Sequence, residues 1–111
     1  QIFFNLVENA IKYNVENGHV HVRLWREEED VFVTVEDTGV GIPEDEKPHI
    51  FDRFYRVDKA RSRQAGGSGL GLSIVNDLVK RNLGQVCVRD REGGGSCFVV
   101  RFPFFEVEVE Q

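Results

Sequence analysis

The stretch DTGVG at residues 37–41, together with GSGLGL at residues 67–72, decides which fold this chain adopts. NLVENAIKY precedes both at residues 5–13, and FDRFYR lies between them at residues 51–56. Each of the four stretches is a weak signal by itself. Their order, spread over most of the 111 residues, makes the combination far more specific than any one stretch.

The composition indicates one globular domain, 41% hydrophobic and 30% charged, with a modest core. The net charge of -5 argues against non-specific binding to nucleic acid or to an anionic membrane. It does not exclude ATP, because local dipoles and a few cations meet phosphates. No apolar run approaches the ~20 residues that span a bilayer, and Cys87 and Cys97 are expected to be reduced. We therefore expect a cytoplasmic domain, whether or not the parent protein is anchored in a membrane.

Hydrophobic periodicity predicts two helices and four strands. The helices are predicted over residues 2–13 and 69–82, and the strands over residues 19–26, 31–36, 85–90 and 96–102. Short polar or glycine-rich turns join the strands into two hairpins, and we predict a mobile loop over residues 57–68. The fold class is therefore α/β, a two-layer sandwich in which a mixed, mostly antiparallel sheet carries helices on one face. The chain has no methionine and opens inside a helical pattern, so we expect a piece of a longer protein.

Two asparagines on the first predicted helix are candidate metal ligands. Asn5 and Asn9 are one turn apart, and asparagine is a poor residue for a helix interior, because its side chain competes for backbone hydrogen bonds. An amide oxygen is a hard, neutral ligand that suits Mg²⁺ when phosphates already neutralise the ion. An ordinary polar helix face explains the two residues equally well, so the residue types leave both interpretations open.

Asp37 and the glycine run near residue 67 are candidate nucleotide-binding features. A carboxylate only accepts hydrogen bonds, so it can take one from the exocyclic amine of adenine, where guanine has a carbonyl. The glycine run directly precedes a predicted helix, whose first backbone N–H groups can meet phosphate oxygens. It matches neither the dinucleotide-binding fingerprint nor the P-loop. A plain turn after a strand and a plain loop before a helix are the alternative interpretations.

Taken together, the four stretches resemble the ATP-binding catalytic domain of sensor histidine kinases, in the Bergerat-fold superfamily. The resemblance covers residues 1–103 as one domain truncated at its N-terminus, and leaves residues 104–111 as a tail without an assigned role. It implies a Bergerat-type sandwich, ATP and Mg²⁺ as cofactors, and transfer of the γ-phosphoryl group to a histidine. That histidine would lie on a separate dimerisation domain, of the same or the partner subunit, and pass the group to the receiver domain of a response regulator.

The resemblance also implies roles for individual residues. Asn9 would hold Mg²⁺ and count as catalytic, Asn5 would lie beside it in the cofactor site, and Asp37 would read adenine. The other implied nucleotide contacts come from the end of the first helix and from the two glycine stretches: Lys12, Tyr13, Gly39, Gly41, Gly67, Gly69, Leu70 and Gly71. Arg56 is the second catalytic candidate, because a guanidinium there can stabilise charge on the γ-phosphate. A solvated surface arginine is the alternative.

Asn5 favours a kinase over a hydrolase. Hydrolytic members of the superfamily typically carry glutamate at this position, where it activates water as a general base, and an amide cannot accept that proton. A related serine kinase or ATPase, and a degenerate docking module, are the alternative functions. None of His19, His21 and His49 fits a phosphoacceptor, so we expect the substrate histidine outside this chain. We expect no nucleic-acid partner and no direct membrane contact.

Overall fold

The computed structural model describes residues 1–55 and 70–103, and the elements below belong to these ranges. Two α-helices, one 3₁₀ turn and four strands follow the chain in this order: α1 Ile2–Lys12, β1 Val20–Glu27, β2 Asp30–Asp37, the 3₁₀ turn Lys47–His49, α2 Gly71–Arg81, β3 Gln85–Asp90 and β4 Ser96–Pro103. The predicted helices and strands therefore all occur, with ends that differ from the prediction by one or two residues. The predicted mobile loop at residues 57–68 lies outside the described residues.

The four strands form one sheet in the order β1-β2-β4-β3, and every neighbouring pair is antiparallel. The β1–β2 and β3–β4 pairs are the two predicted hairpins, and β2 pairs with β4 between them. One row across the sheet consists of Val22, Val35, Phe98 and Val88. Because side chains alternate between the faces of a strand, this register places one apolar face under the helices. The predicted two-layer α/β sandwich is confirmed.

The core lies between α1, α2 and the two central strands. Apolar residues two apart on the strands pack against apolar residues four apart on the helices, because those spacings place side chains on one face of a strand and of a helix. Phe98 is the largest fully buried side chain at the centre of this contact. The buried apolar set is Leu6, Ala10, Val33, Val35, Ile50, Val75, Val79, Phe98 and Val100.

The apolar stripe on α1 is narrower than periodicity predicts. Leu6 and Ala10 are fully buried, but Phe3 is exposed and Ile11 is 64% exposed. Successive helix residues are about 100° apart, so Ile11 points away from the line through Leu6 and Ala10 that meets the sheet. Phe3 lies on the same side of α1 as Leu6 and Ala10, but one turn before Leu6, near the start of the helix. On α2 the step of about 100° between successive residues leaves Ile74 exposed, while Val75, the next residue, is fully buried.

Alternation of Val20, Val22 and Leu24 with polar residues predicts one buried face for the first strand, and this prediction is wrong for most of β1. Val22 and Leu24 belong to the face that carries Val35 and Val33 in the next strand, yet Leu24 is 70% exposed. Strand β1 is the edge of the described sheet, and the helices pack over the central strands. The alternation of apolar and polar residues therefore predicted that β1 is a strand, but not that most of its side chains are exposed.

Cys87 and Cys97 are free thiols, the first exposed and the second half-buried. Within residues 1–55 and 70–103, none of the helices has the length and apolar character that crossing a membrane requires.

Candidate functional site

The polar face of α1 points toward the start of α2. Asn5, Asn9 and Lys12 share this face, because they are separated by four and three residues on the helix. A Cβ atom added to Gly71 would lie 3.8 Å from the side-chain oxygen of Asn5. The Asn5 amide nitrogen is buried and has no hydrogen-bond acceptor in the described part of the chain. A buried amide donor without an acceptor is costly, so it marks a place where a polar ligand or water would fit.

Lys12 is engaged by Glu8 on the same helix. The Lys12 ammonium lies 2.9 Å from a Glu8 carboxylate oxygen, and both side chains are partly exposed. Pairs of this kind contribute only about 0.3–0.5 kcal/mol on a helix surface. A phosphate could therefore replace Glu8 as the partner of Lys12 at little cost. Sequence reasoning left Glu8 outside the site, although its i,i+4 spacing to Lys12 was the available signal.

Asp37 ends β2 and is almost completely buried, with 4% of its surface exposed. Its Oδ1 atom accepts hydrogen bonds from the backbone N–H of Gly39 at 2.9 Å and of Ser96 at 3.2 Å. Among the described residues Oδ2 has no hydrogen-bond partner. One carboxylate oxygen is thus fixed by the backbone, and the other can accept a hydrogen bond from a ligand.

Burial raises the pKa of Asp37 above its ordinary value of 3.8. The hydrogen bonds from Gly39 and Ser96 and the charge of Arg91 oppose this rise without cancelling it. The ionised carboxylate is therefore poorly solvated in the folded protein. A hydrogen-bond donor brought by a ligand would restore part of the solvation that burial removes.

The turn between β3 and β4 lies directly behind Asp37. A Cβ atom on Gly95 would lie 1.9 Å from the Asp37 carbonyl oxygen, and Gly95 has φ +103. The same turn delivers the Ser96 N–H to Asp37, while the Arg91 guanidinium donates to the carbonyl of Gly94. Sequence reasoning predicted only a turn here and missed its role in holding Asp37. The glycine-rich run EGGG at residues 92–95 predicts the turn, but no neighbouring residue indicates that the turn contacts Asp37.

Replacement of Gly95 by alanine is expected to lower the free energy of unfolding by about 1–3 kcal/mol, because the new methyl group overlaps backbone atoms. Gly94→Ala is the matched control, since Gly94 also has positive φ (+109) but an added Cβ would meet nothing within 4 Å. Denaturant melts of both variants separate the steric clash from the backbone strain that both share. Equal stabilities of the two variants would show that the contact with Asp37 is unimportant.

The loop after β2 is joined to the end of α1. The Val40 N–H donates to the Tyr13 carbonyl at 3.3 Å, and a Cβ atom on Gly39 would lie 2.2 Å from that oxygen. Gly41 has φ +75, a conformation that favours glycine. The contact with Tyr13 explains a glycine at position 39 without a ligand. The approach of a nucleotide to Gly39 and Gly41 stays a prediction.

The structure describes only the end of the second glycine stretch and does not describe the arginine predicted to be catalytic. Arg56, Gly67 and Gly69 lie outside the described residues. Leu70 and Gly71 begin α2, and the Leu70 carbonyl accepts hydrogen bonds from the Ser73 hydroxyl and the Ile74 N–H. The 3.8 Å between a Cβ atom added to Gly71 and the Asn5 side-chain oxygen places the start of α2 beside the polar face of α1, and a nucleotide contact there stays a prediction.

The aromatic residues of the stretch at 51–56, namely Phe51, Phe54 and Tyr55, are expected to pack rather than to take part in chemistry. Phe51 contacts Phe98 edge to face, with 6.2 Å between ring centroids, so it extends the core. Tyr55 is half-buried with its ring 5.5 Å from the ring of His49. Packing is the wrong prediction for Phe54, which is 65% exposed and has φ 65. A left-handed backbone at Phe54 turns its side chain out of the core.

Comparison with known proteins gives a consistent match over nearly the whole chain. Residues 1–106 match the family described as histidine kinase-, DNA gyrase B-, and HSP90-like ATPase. The sensor histidine kinase RppB of Synechocystis sp. is 43% identical over 105 residues, which are 95% of this chain and 23% of RppB. The chain thus spans less than a quarter of the length of this relative.

Solved structures agree with the sequence match. The mycobacterial sensor histidine kinase MprB superposes with a TM-score of 0.80 at 35% identity, covering 89% of this chain and 67% of MprB. Full-length ShkA, solved in complex with AMPPNP, has a TM-score of 0.79 at 32% identity over 97% of this chain and 22% of ShkA. The histidine kinase ThkA in complex with the response regulator TrrA has a TM-score of 0.75 at 30% identity, over 95% of this chain and 28% of ThkA.

Proposed function

This chain belongs to the histidine kinase-, DNA gyrase B- and HSP90-like ATPase family as a sensor histidine kinase catalytic domain, and we propose that it binds ATP with Mg²⁺ and supplies the γ-phosphoryl group to a histidine. The observation that carries the proposal is the environment of Asp37. It is a buried carboxylate with one oxygen held by two backbone N–H groups, and the described residues provide no partner for the other. The exocyclic amine of adenine is a donor suited to that second oxygen.

The phosphate end of the nucleotide would lie along the polar face of α1. Among the described residues, Lys12 is held there by a weak surface pair with Glu8, and the Asn5 amide nitrogen has no acceptor. Asn5 lies beside the start of α2, where phosphate oxygens would meet backbone N–H groups. Tyr13, Gly67, Gly69, Leu70 and Gly71 are the further proposed contacts. Arg56 is proposed to stabilise charge on the transferred group.

Mg²⁺ fits the donor set on α1. Asn9 would hold the ion through its amide oxygen, a neutral ligand suited to a cation that phosphates also bind. When bound, the ion would neutralise charge on the β- and γ-phosphates. The chain itself would position the nucleotide and exclude water from Asp37. Because residue 5 is asparagine, this position would have no carboxylate that activates water for hydrolysis.

We propose that the phosphoacceptor histidine lies on a separate dimerisation domain and that a response regulator receives the group. The histidines of this chain do not support a role as acceptor on a dimerisation helix: His19 precedes β1, His21 lies in β1 and His49 lies in the 3₁₀ turn, so none of the three is on an α-helix. The complex of ThkA with TrrA supports a response regulator as the partner. We also propose that the domain is cytoplasmic, where the thiols of Cys87 and Cys97 would stay reduced.

Calorimetric titration with ADP and with GDP, each with and without Mg²⁺, tests the nucleotide site. We expect ADP to bind more tightly with Mg²⁺, and GDP to bind at least about tenfold more weakly, because its carbonyl would face the Asp37 carboxylate. Equal affinity for both nucleotides would remove the role of Asp37. An absence of binding by a sample that still melts cooperatively would overturn the proposal in favour of a docking module. Steady hydrolysis by the isolated chain would favour the related ATPases.

A further inference from the structure

Three separate elements meet in a closed set of hydrogen bonds beside the proposed site. The Thr38 hydroxyl donates to the Asn14 side-chain oxygen at 2.8 Å, and the Asn14 amide donates to the His19 carbonyl at 2.9 Å. The His19 N–H in turn donates to the Thr38 hydroxyl oxygen at 2.8 Å. Asn14 follows α1, His19 precedes β1 and Thr38 follows β2. Each of the three residues is therefore joined to the other two.

Gly18 packs directly against this set. A Cβ atom on Gly18 would lie 2.0 Å from the Asn14 side-chain oxygen and 2.6 Å from the Thr38 hydroxyl. Any side chain at position 18 would therefore displace Asn14 and Thr38, so their hydrogen bond requires glycine there. We call Asn14, Gly18, His19 and Thr38 the clamp.

The clamp joins the two ends of the proposed nucleotide site. Thr38 directly follows Asp37, the residue proposed to recognise adenine, in the sequence. Asn14 follows Lys12 by two residues, just after the helix that carries Asn9. Asp37 keeps its own backbone donors, Gly39 and Ser96, without the clamp. Loss of the clamp side chains would leave each end formed and still joined by backbone hydrogen bonds among the described residues, such as that from Val40 to Tyr13, so the distance between the two ends would be held less tightly.

We propose that Asn14 and Thr38 are positioning residues, which hold Asp37 and α1 at the separation that an adenine nucleotide bridges. This inference rests on the proposed function. Ligands that contact both ends, such as Mg-ADP, depend on the clamp, because a fixed spacing lowers the ordering cost of binding. A ligand that contacts only Asp37, such as adenosine, does not depend on it.

Thr38→Val and Thr38→Ser are the decisive pair. Valine matches threonine in shape but removes the hydroxyl, while serine keeps it. We expect Thr38→Val to raise the Kd for Mg-ADP about three- to tenfold and to leave the Kd for adenosine within about twofold of the parent. Thr38→Ser should bind both ligands as the parent does. Calorimetry for Mg-ADP and NMR titration for adenosine measure the two constants.

Asn14→Ala provides a second test if Thr38→Val proves too unstable to measure, and the same split between the two ligands is expected. Asn82→Ala is the matched control, because Asn82 also donates to a backbone carbonyl, that of Leu78 at 2.7 Å, but at the other end of α2 from Gly71. Its affinities should equal those of the parent.

The outcomes separate the two proposals. Mg-ADP affinity that is the same in folded Thr38→Val, Asn14→Ala and the parent would overturn the clamp and leave the nucleotide site intact. Equal weakening for Mg-ADP and adenosine would also overturn it, since that result indicates a general loss of structure. A parent that binds neither ligand would overturn the proposed function, and the clamp's role with it.

Discussion

Replacement of Asp37 by asparagine is expected to weaken ADP binding about 10- to 100-fold, the range for loss of a hydrogen bond to a buried charged group. The asparagine oxygen can still accept hydrogen bonds from the N–H groups of Gly39 and Ser96. The second carboxylate oxygen becomes an NH₂ group, and the negative charge is lost. Calorimetric titration with ADP measures the loss. Asp45→Asn is the control, because Asp45 is exposed and carries the same charge change.

The same substitution is expected to leave the unfolding free energy at neutral pH unchanged or higher. Burial raises the folded-state pKa of Asp37 above 3.8, so the folded protein holds this proton more tightly than the unfolded chain does. The contribution of Asp37 to stability therefore falls as pH rises from 3.8 through the raised pKa, and the charged group is destabilising above it. Thermal melts of parent and variant should converge in acid and diverge toward neutral pH.

ADP binding by the parent should follow the opposite trend with pH. The proposed contact needs the ionised carboxylate as acceptor, so ADP affinity should fall as the solution is acidified through the raised pKa of Asp37. In Asp37→Asn this pH dependence should be absent. An unchanged ADP affinity in the variant, or the same pH dependence in variant and parent, would contradict the assignment of Asp37 to adenine.

Replacement of Asn9 by alanine is expected to remove the part of nucleotide affinity that Mg²⁺ provides, at least about tenfold, because the ion loses a direct protein ligand. Without Mg²⁺ the variant and the parent should bind ADP equally. Alanine favours a helix interior more than asparagine does, so the fold of α1 should persist. Titrations with and without Mg²⁺ test both statements.

Asn76→Ala on α2 is the matched control for Asn9→Ala, since it makes the same change inside the other helix. Its Mg²⁺-dependent affinity should equal that of the parent. If Asn9→Ala retains the full effect of Mg²⁺, the metal assignment is wrong and the polar-face interpretation of Asn5 and Asn9 becomes the better one.

The helices and strands could be predicted because the residue patterns that form them are local. Helix α1 was predicted as residues 2–13 and occurs as Ile2–Lys12, because helical spacing of apolar residues is written in neighbouring positions. The hairpins followed from alternation and from glycine-rich turns for the same reason. Burial was predicted less well, as Phe54 and Leu24 show, since periodicity describes which residues share a face but not what covers that face.

The sequence by itself determined the fold class, the family and the residue types of the candidate site, because short ordered stretches carry them. Only the tertiary structure decided what holds those residues in place. Ser96 reaches Asp37 across 59 residues of chain, and Thr38 reaches Asn14 across 24. Such contacts depend on the pairing of β2 with β4 and on where α1 ends over the sheet, and no local pattern of residues encodes either.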